Sequence, residues 1–110
     1  MTAVFVYMTA TDREEALRIG RVLVDERLAA CVNVLDNMTS VYRWEGQVRQ
    51  EGEAVLVGKT RAELVDALTE RVRALHSYDC PCVVSWPIAA GNPAYLNWIR
   101  DETRDADTEH

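Results

Sequence analysis

The sequence predicts an α+β domain, a four-stranded antiparallel sheet with two helices on one of its faces. Three observations predict it. Strand-like runs alternate with helix-period runs in the order strand, helix, strand, strand, helix, strand, and a short helix closes the chain. The two middle strands meet at Trp44-Glu45-Gly46-Gln47-Val48, where a glycine between β-type runs signals a hairpin. Each outer strand joins that hairpin through a helix, and right-handed crossovers then interleave two strand-helix-strand units into the ferredoxin-like arrangement.

Ala3 to Met8 reads Ala-Val-Phe-Val-Tyr-Met, apolar and rich in branched and aromatic types, as a strand buried on both faces requires. Thr11-Asp12-Arg13-Glu14 offers a capping box, with Thr11 accepting from a first-turn N–H and Glu14 reaching back to the Thr11 N–H. Behind it Ala16, Ile19, Leu23 and Val24 recur at helical spacing, and the pattern fades near Arg27. Strand character returns from Leu28 to Leu35, breaks over Asp36 to Ser40 and resumes at Val41 to Trp44, so the break is a bulge or bend in one long strand.

The return strand runs from about Val48 to Lys59, with Glu53, Val55, Val57 and Lys59 on one face and Ala54, Leu56 and Gly58 on the other. Thr60-Arg61-Ala62-Glu63 repeats the capping box ahead of Leu64, Leu68, Val72 and Leu75. Pro81 biases Cys80 to extended backbone, which places the last strand at Cys82 to Trp86, ended or edged by Pro87. Asn92-Pro93 supplies a cap and a first-turn proline for a short helix carrying Tyr95, Trp98 and Ile99. Past Arg100 the chain is polar apart from Ala106 and reads as solvated; residues 1–103 form a single domain and 104–110 a polar, disordered tail.

The 110 residues carry 12 Lys+Arg against 18 Asp+Glu, a net charge of −6, and 48% apolar with 27% charged residues excludes a disordered chain. The longest apolar run falls far short of the ~20 residues of a membrane span. Met1-Thr2-Ala3 lacks the basic start of a signal peptide, so the expected setting is cytoplasmic with no membrane partner. An acidic balance weighs against nucleic acid, whose phosphates are bound through Lys and Arg. Cys31, Cys80 and Cys82 cannot all pair within one chain and read as reduced thiols. Two helices leave one sheet face to water or another subunit. The unpaired edge of a long hairpin invites backbone pairing, which closed symmetry satisfies.

Leu28-Ala29-Ala30-Cys31-Val32-Asn33, Tyr42-Arg43-Trp44-Glu45-Gly46, Lys59-Thr60, Leu75-His76-Ser77-Tyr78-Asp79, Pro81 and Tyr95-Leu96-Asn97-Trp98-Ile99 follow one another in register between about Val4 and Trp98. Together they resemble the CutA divalent-cation tolerance proteins. The resemblance implies a ferredoxin-like subunit in a tight homotrimer, hairpin strands joining sheets between subunits, and a cytoplasmic role linked to copper and other heavy metals. It implies no known reaction.

Four residues have metal-binding capacity: His76, Cys80, Cys82 and Met8. The copper site assigned in the family resembles a Cys at the end of the first strand together with a His-His pair. Here Met8 and Leu75-His76 stand at those places, so only His76 carries over unchanged. Cys80-Pro81-Cys82 departs from the family's Pro-Glu pattern. Residues two apart on an extended strand share a side with Cα atoms about 6.6 Å apart, wide for a disulfide and suited to two sulfur ligands on Cu(I) or Zn. The four residues are thus a candidate site for copper or another soft divalent metal. The alternative is two small buried thiols and a helix-end histidine, and Cys31 reads as core.

Tyr42, Trp44, Glu51, Lys59, Tyr78 and Trp98 are candidates to converge at a subunit cleft, as a ligand site or as a hydrogen-bonded interface cluster. No catalytic triad signature, Gly-x-Gly-x-x-Gly or Walker loop occurs, and no enzyme activity is expected. Thr9 to Arg13 lacks both the glycine of the acylphosphatase loop and the Met-x-Cys-x-x-Cys of small copper chaperones. A second function stays open, a trimeric small-molecule sensor similar to the PII proteins with effectors in inter-subunit clefts.

Overall fold

The computed structural model describes residues 1–106. Its elements are β1 (Ala3–Ala10), α1 (Arg13–Asp25), β2 (Cys31–Trp44), β3 (Gln47–Arg61), a 3₁₀ turn (Ala62–Leu64), α2 (Val65–Leu75), β4 (Val83–Pro87) and α3 (Pro93–Glu102). Every strand pairs antiparallel with its neighbour, in the sheet order β2-β3-β1-β4. The ferredoxin-like topology read from the sequence is therefore the observed one.

Strand period decides which side chains meet the helices. Val4, Val6, Met8 and Ala10 of β1 and Ala54 and Leu56 of β3 point to one face. There they pack with Ala16, Ile19 and Leu23 of α1, Leu68 and Val72 of α2, and Leu28 and Ala29 of the α1–β2 connection. Gly20 lets α1 lie close on the sheet, because a Cβ there would stand 3.2 Å from Val32 Cγ1. Val24, expected on the apolar stripe, is instead 40% exposed, one turn beyond Gly20 at the edge of the packed face. α3 lies on the opposite face over one end of the sheet, where Ile99 buries with Ala3 and Ala30.

One expected capping box shifts and the other does not form. Asp12, not Thr11, caps α1 by accepting from the Glu15 N–H at 2.9 Å. Glu15, not Glu14, reaches back, accepting from the Thr11 N–H at 3.0 Å. Thr60 caps nothing: it is a fully buried β3 residue whose hydroxyl donates to the Leu28 carbonyl at 2.7 Å. α2 is entered through the 3₁₀ turn with no side-chain cap. The Asn92 cap and first-turn Pro93 of α3 stand as read, Asn92 accepting from the Ala94 N–H. α3 runs to Glu102, two residues past the point where the chain reads as solvated. Arg61 donates to the Thr103 hydroxyl at 2.8 Å and carbonyl at 2.6 Å and pairs with Asp105 at 3.1 Å. A guanidinium there satisfies helix-end carbonyls that have no partner of their own. The rest of the expected tail, 107–110, lies outside the described residues.

The hairpin outgrows the sheet. β2 has 14 residues and β3 15, against 8 in β1 and 5 in β4. On β3, only Ala54–Arg61 pairs with β1, so Gln47 to Glu53 has β2 alone for a neighbour. The interruption read at Asp36 to Ser40 is a bulge between Leu35 and Met38, with Asn37 at φ 60°. Glu45 (φ 50°) and Gly46 (φ 78°) close the tip, the positive pair that matches strand twist in a two-residue turn.

Thr60→Val leaves the Leu28 carbonyl buried without its donor and costs about 1–3 kcal/mol. The check is a lowered urea midpoint at unchanged slope; an unmoved midpoint assigns Thr60 no such role.

Candidate functional site

Where β3 runs past the end of β1, the sheet face away from α1 and α2 opens into a cleft of about 400 Å³. Register explains its lining. Thr9 stands opposite Val55, and Glu53, Glu51 and Arg49 follow on that face at every second residue. Ser40, Tyr42 and Trp44 of β2 pair with Glu51, Arg49 and Gln47 and so share the face. The far wall is the segment between α2 and β4, which contributes Tyr78, Asp79, Cys80 and Cys82.

That segment is held by a buried polar corner. The Glu15 side chain, 5% exposed, accepts from the Thr11 N–H at 3.0 Å on Oε1 and from the Ser77 N–H at 2.9 Å on Oε2. The His76 ring, 1% exposed, uses both nitrogens. Nδ1 accepts from the Tyr78 N–H at 3.0 Å and therefore carries no proton, so Nε2 donates to the Thr9 carbonyl at 2.8 Å. The start of α1, the end of β1 and the loop after α2 are thereby locked together, and Tyr78 is delivered to the cleft. Its hydroxyl donates to Glu53 Oε2 at 3.0 Å. Across the cleft the Tyr42 hydroxyl donates to Glu51.

Burial opposes ionisation of Glu15, but the Thr11 N–H, the Ser77 hydroxyl and the Ser77 N–H together outweigh it and hold its carboxyl below the usual range. Burial and then the Glu53 carboxylate push the Tyr78 hydroxyl up to about 12. Hydrogen bonding to Glu51 raises Tyr42. Burial, then the charge of Glu53, raises the Cys82 thiol.

The structure splits both candidate sets. Of the metal candidates, Cys80 and Cys82 line the cleft. His76 lies behind the wall with both nitrogens committed. Met8 is 1% exposed on the other sheet face, because it alternates with Thr9. The four do not assemble as one site, and among the described residues no group of three or more His, Cys, Asp or Glu is placed to hold a metal ion. Of the cleft candidates, Tyr42, Trp44, Glu51 and Tyr78 come together. Lys59 has the right parity but lies six residues from Glu53 along β3, roughly 20 Å away at the strand's rise. It donates to Asn33 at 2.9 Å and sits over the Tyr95 ring. Trp98 stacks on Tyr95 at 5.4 Å on α3. Cys31 is half-buried, its sulfur 3.6 Å from the Tyr95 hydroxyl. Thr9, Arg49, Glu53 and Asp79 join the cleft unanticipated, though the alternation through Glu53 would have found Arg49 and Glu53 itself.

A carboxyl held below its unfolded value stabilises the fold above the usual carboxylate range and loses that contribution as pH falls through its lowered value. Glu15→Gln turns an amide NH₂ toward a backbone N–H and lowers unfolding free energy by about 1.5–3 kcal/mol at pH 7. The gap to the parent narrows below the usual carboxylate range in denaturant titrations at stepped pH; a gap independent of pH contradicts the assignment.

The family model described as CutA1 divalent ion tolerance protein matches residues 4–102. The rice protein "Protein CutA 1, chloroplastic" (Oryza sativa subsp. japonica) is 44% identical over 104 residues, covering 94% of this chain and 59% of the rice protein. The chain thus spans less than two thirds of that relative. "Divalent-cation tolerance protein CutA" of Thermus thermophilus is 47% identical over 98 residues, covering 89% of this chain and 95% of the relative. The crystal structure of CutA1 from Oryza sativa superposes with TM-score 0.93 at 44% identity, covering 96% of each chain. With the family model matched over residues 4–102 and the fold superposing over nearly the whole length, the chain belongs to the CutA1 divalent ion tolerance family.

Proposed function

We propose that this protein serves divalent-cation tolerance as a homotrimer in a reducing compartment such as the cytoplasm, with the cleft at the end of β1 as one wall of its ligand-taking surface. The observation that carries the assembly is the hairpin arm. β2 is an edge strand of 14 residues. Val41 and Val48, diagonal neighbours on the arm's face opposite the cleft, are 66% and 63% exposed. A two-stranded ribbon is marginal in water, and a long exposed edge pairs with whatever strand it meets. Three copies pairing edge to edge in a closed ring satisfy each arm without open-ended growth. The three free thiols suit a reducing setting.

One observation favours a second reading. The cleft holds two tyrosine–carboxylate pairs and Arg49, while the described residues gather no three metal donors. Such a lining suits a small polar organic effector, as in a trimeric sensor.

Sedimentation at micromolar concentration is expected to return three times the 12.4 kDa chain mass; the mass of one chain overturns the assembly. Val41→Lys/Val48→Lys, which puts charge on the arm, is expected to shift the trimer toward monomer. Thermal shift of the parent separates the two ligand classes. A rise with Zn or Cu(I) supports the cation reading, and a rise with nucleotides or carboxylates alone supports the sensor.

A further inference from the structure

We propose that Cys80 and Cys82 act as a two-sulfur clamp for a soft monovalent cation of the Cu(I) class at the wall of the cleft. The site deepens the ligand-surface reading above and rests on it. Both cysteines line the same cleft, and neither is in a disulfide. Cys80 is exposed and Cys82 half-buried, so a cation can reach one sulfur from solvent and the other from inside the cleft. Pro81 fixes its own φ and restricts the backbone of Cys80, so little conformational freedom remains to be lost when the two sulfurs close on an ion.

The donor count selects the ion. A divalent ion of the Zn type wants four ligands, and among the described residues no set of even three His, Cys, Asp or Glu is placed for one. A filled-shell soft ion is satisfied by two thiolates in a near-linear arrangement. The nearby oxygens are partly committed, Glu53 accepting from Tyr78 and Glu51 from Tyr42. His76 is excluded, since both its nitrogens are bonded. Three carboxylates, Glu51, Glu53 and Asp79, against the single guanidinium of Arg49 draw a cation into the cleft before the sulfurs engage. On binding, two S–Cu bonds form and two S–H bonds break. Two protons leave to solvent, no electron is transferred, and the product is a bis-thiolate cuprate of charge −1.

The reduced 110-residue chain is titrated anaerobically with Cu(I) against a chromophoric Cu(I) chelator, and copper-edge absorption reads the ligand atoms. The parent is expected to hold one Cu(I) per chain with two sulfur neighbours. Cys80→Ser/Cys82→Ser is expected to lose it, and Cys31→Ser to match the parent. Sedimentation and far-UV circular dichroism on the same variants separate loss of the clamp from loss of assembly or fold. A folded double variant that keeps Cu(I) as tightly as the parent overturns the clamp, whatever the oligomer. A parent that is monomeric yet holds Cu(I) on two sulfurs supports the clamp and removes only the subunit cleft.

Discussion

A hairpin nearly twice as long as the strand it leans on sets the terms for this molecule. β1 gives β3 a partner only from Ala54 onward. Inside that boundary α1 and α2 cover one face of the sheet over a buried apolar layer, and α3 covers one end of the other. Beyond it two strands project with solvent on both sides, and apolar residues such as Val41, Val48 and Trp44 remain exposed. The same mismatch creates the cleft, since the arm forms one wall and the end of β1 the floor. Sheet geometry, surface chemistry and candidate site therefore share one cause.

The opposite wall depends on a different economy. Glu15 and His76 are buried polar groups, and each is tolerated because every strong bonding direction is answered by backbone. Ionised Glu15 receives two N–H groups, and neutral His76 bridges the Thr9 carbonyl and the Tyr78 N–H. A satisfied network of this kind rigidifies the segment it ties down. Tyr78 is thus presented in a fixed position on the cleft wall, and the two cysteines follow it in the chain. The tyrosines then tie up part of the carboxylate capacity, leaving the sulfurs as the softer, freer donors.

Most of the architecture was legible because it rests on period. Alternation through Glu53, Val55, Val57 and Lys59 assigns faces correctly, and Gly46 and Asn92-Pro93 mark a turn and a cap whose geometry few other residues favour. The errors lie where two local patterns compete. Thr11 and Asp12 are both good caps, and only the tertiary hydrogen bond from the Ser77 N–H to Glu15 fixes which one is used. Thr60 looks like a cap in sequence because its buried partner, the Leu28 carbonyl, is 32 residues away. The candidate site was legible in part for the same reason. Parity groups Tyr42, Trp44 and Glu51, whereas Lys59 shares that parity but lies too far along β3, and Trp98 sits on α3, where strand parity says nothing. Met8 and His76 carry metal-binding atoms, yet strand parity buries one and backbone bonding occupies the other. Residue type alone shows neither.

The central claim is that the projecting arm is covered by further copies of the chain. Amide hydrogen exchange along Met38 to Glu53, followed as a function of protein concentration, tests it at the residues concerned. Among the described residues, the outer edge of β2 faces no other strand. The account predicts that the amides along that edge exchange slowly at high concentration and accelerate on dilution, together with loss of assembly. Fast exchange of those amides at every concentration, beside a protected β1, would contradict it.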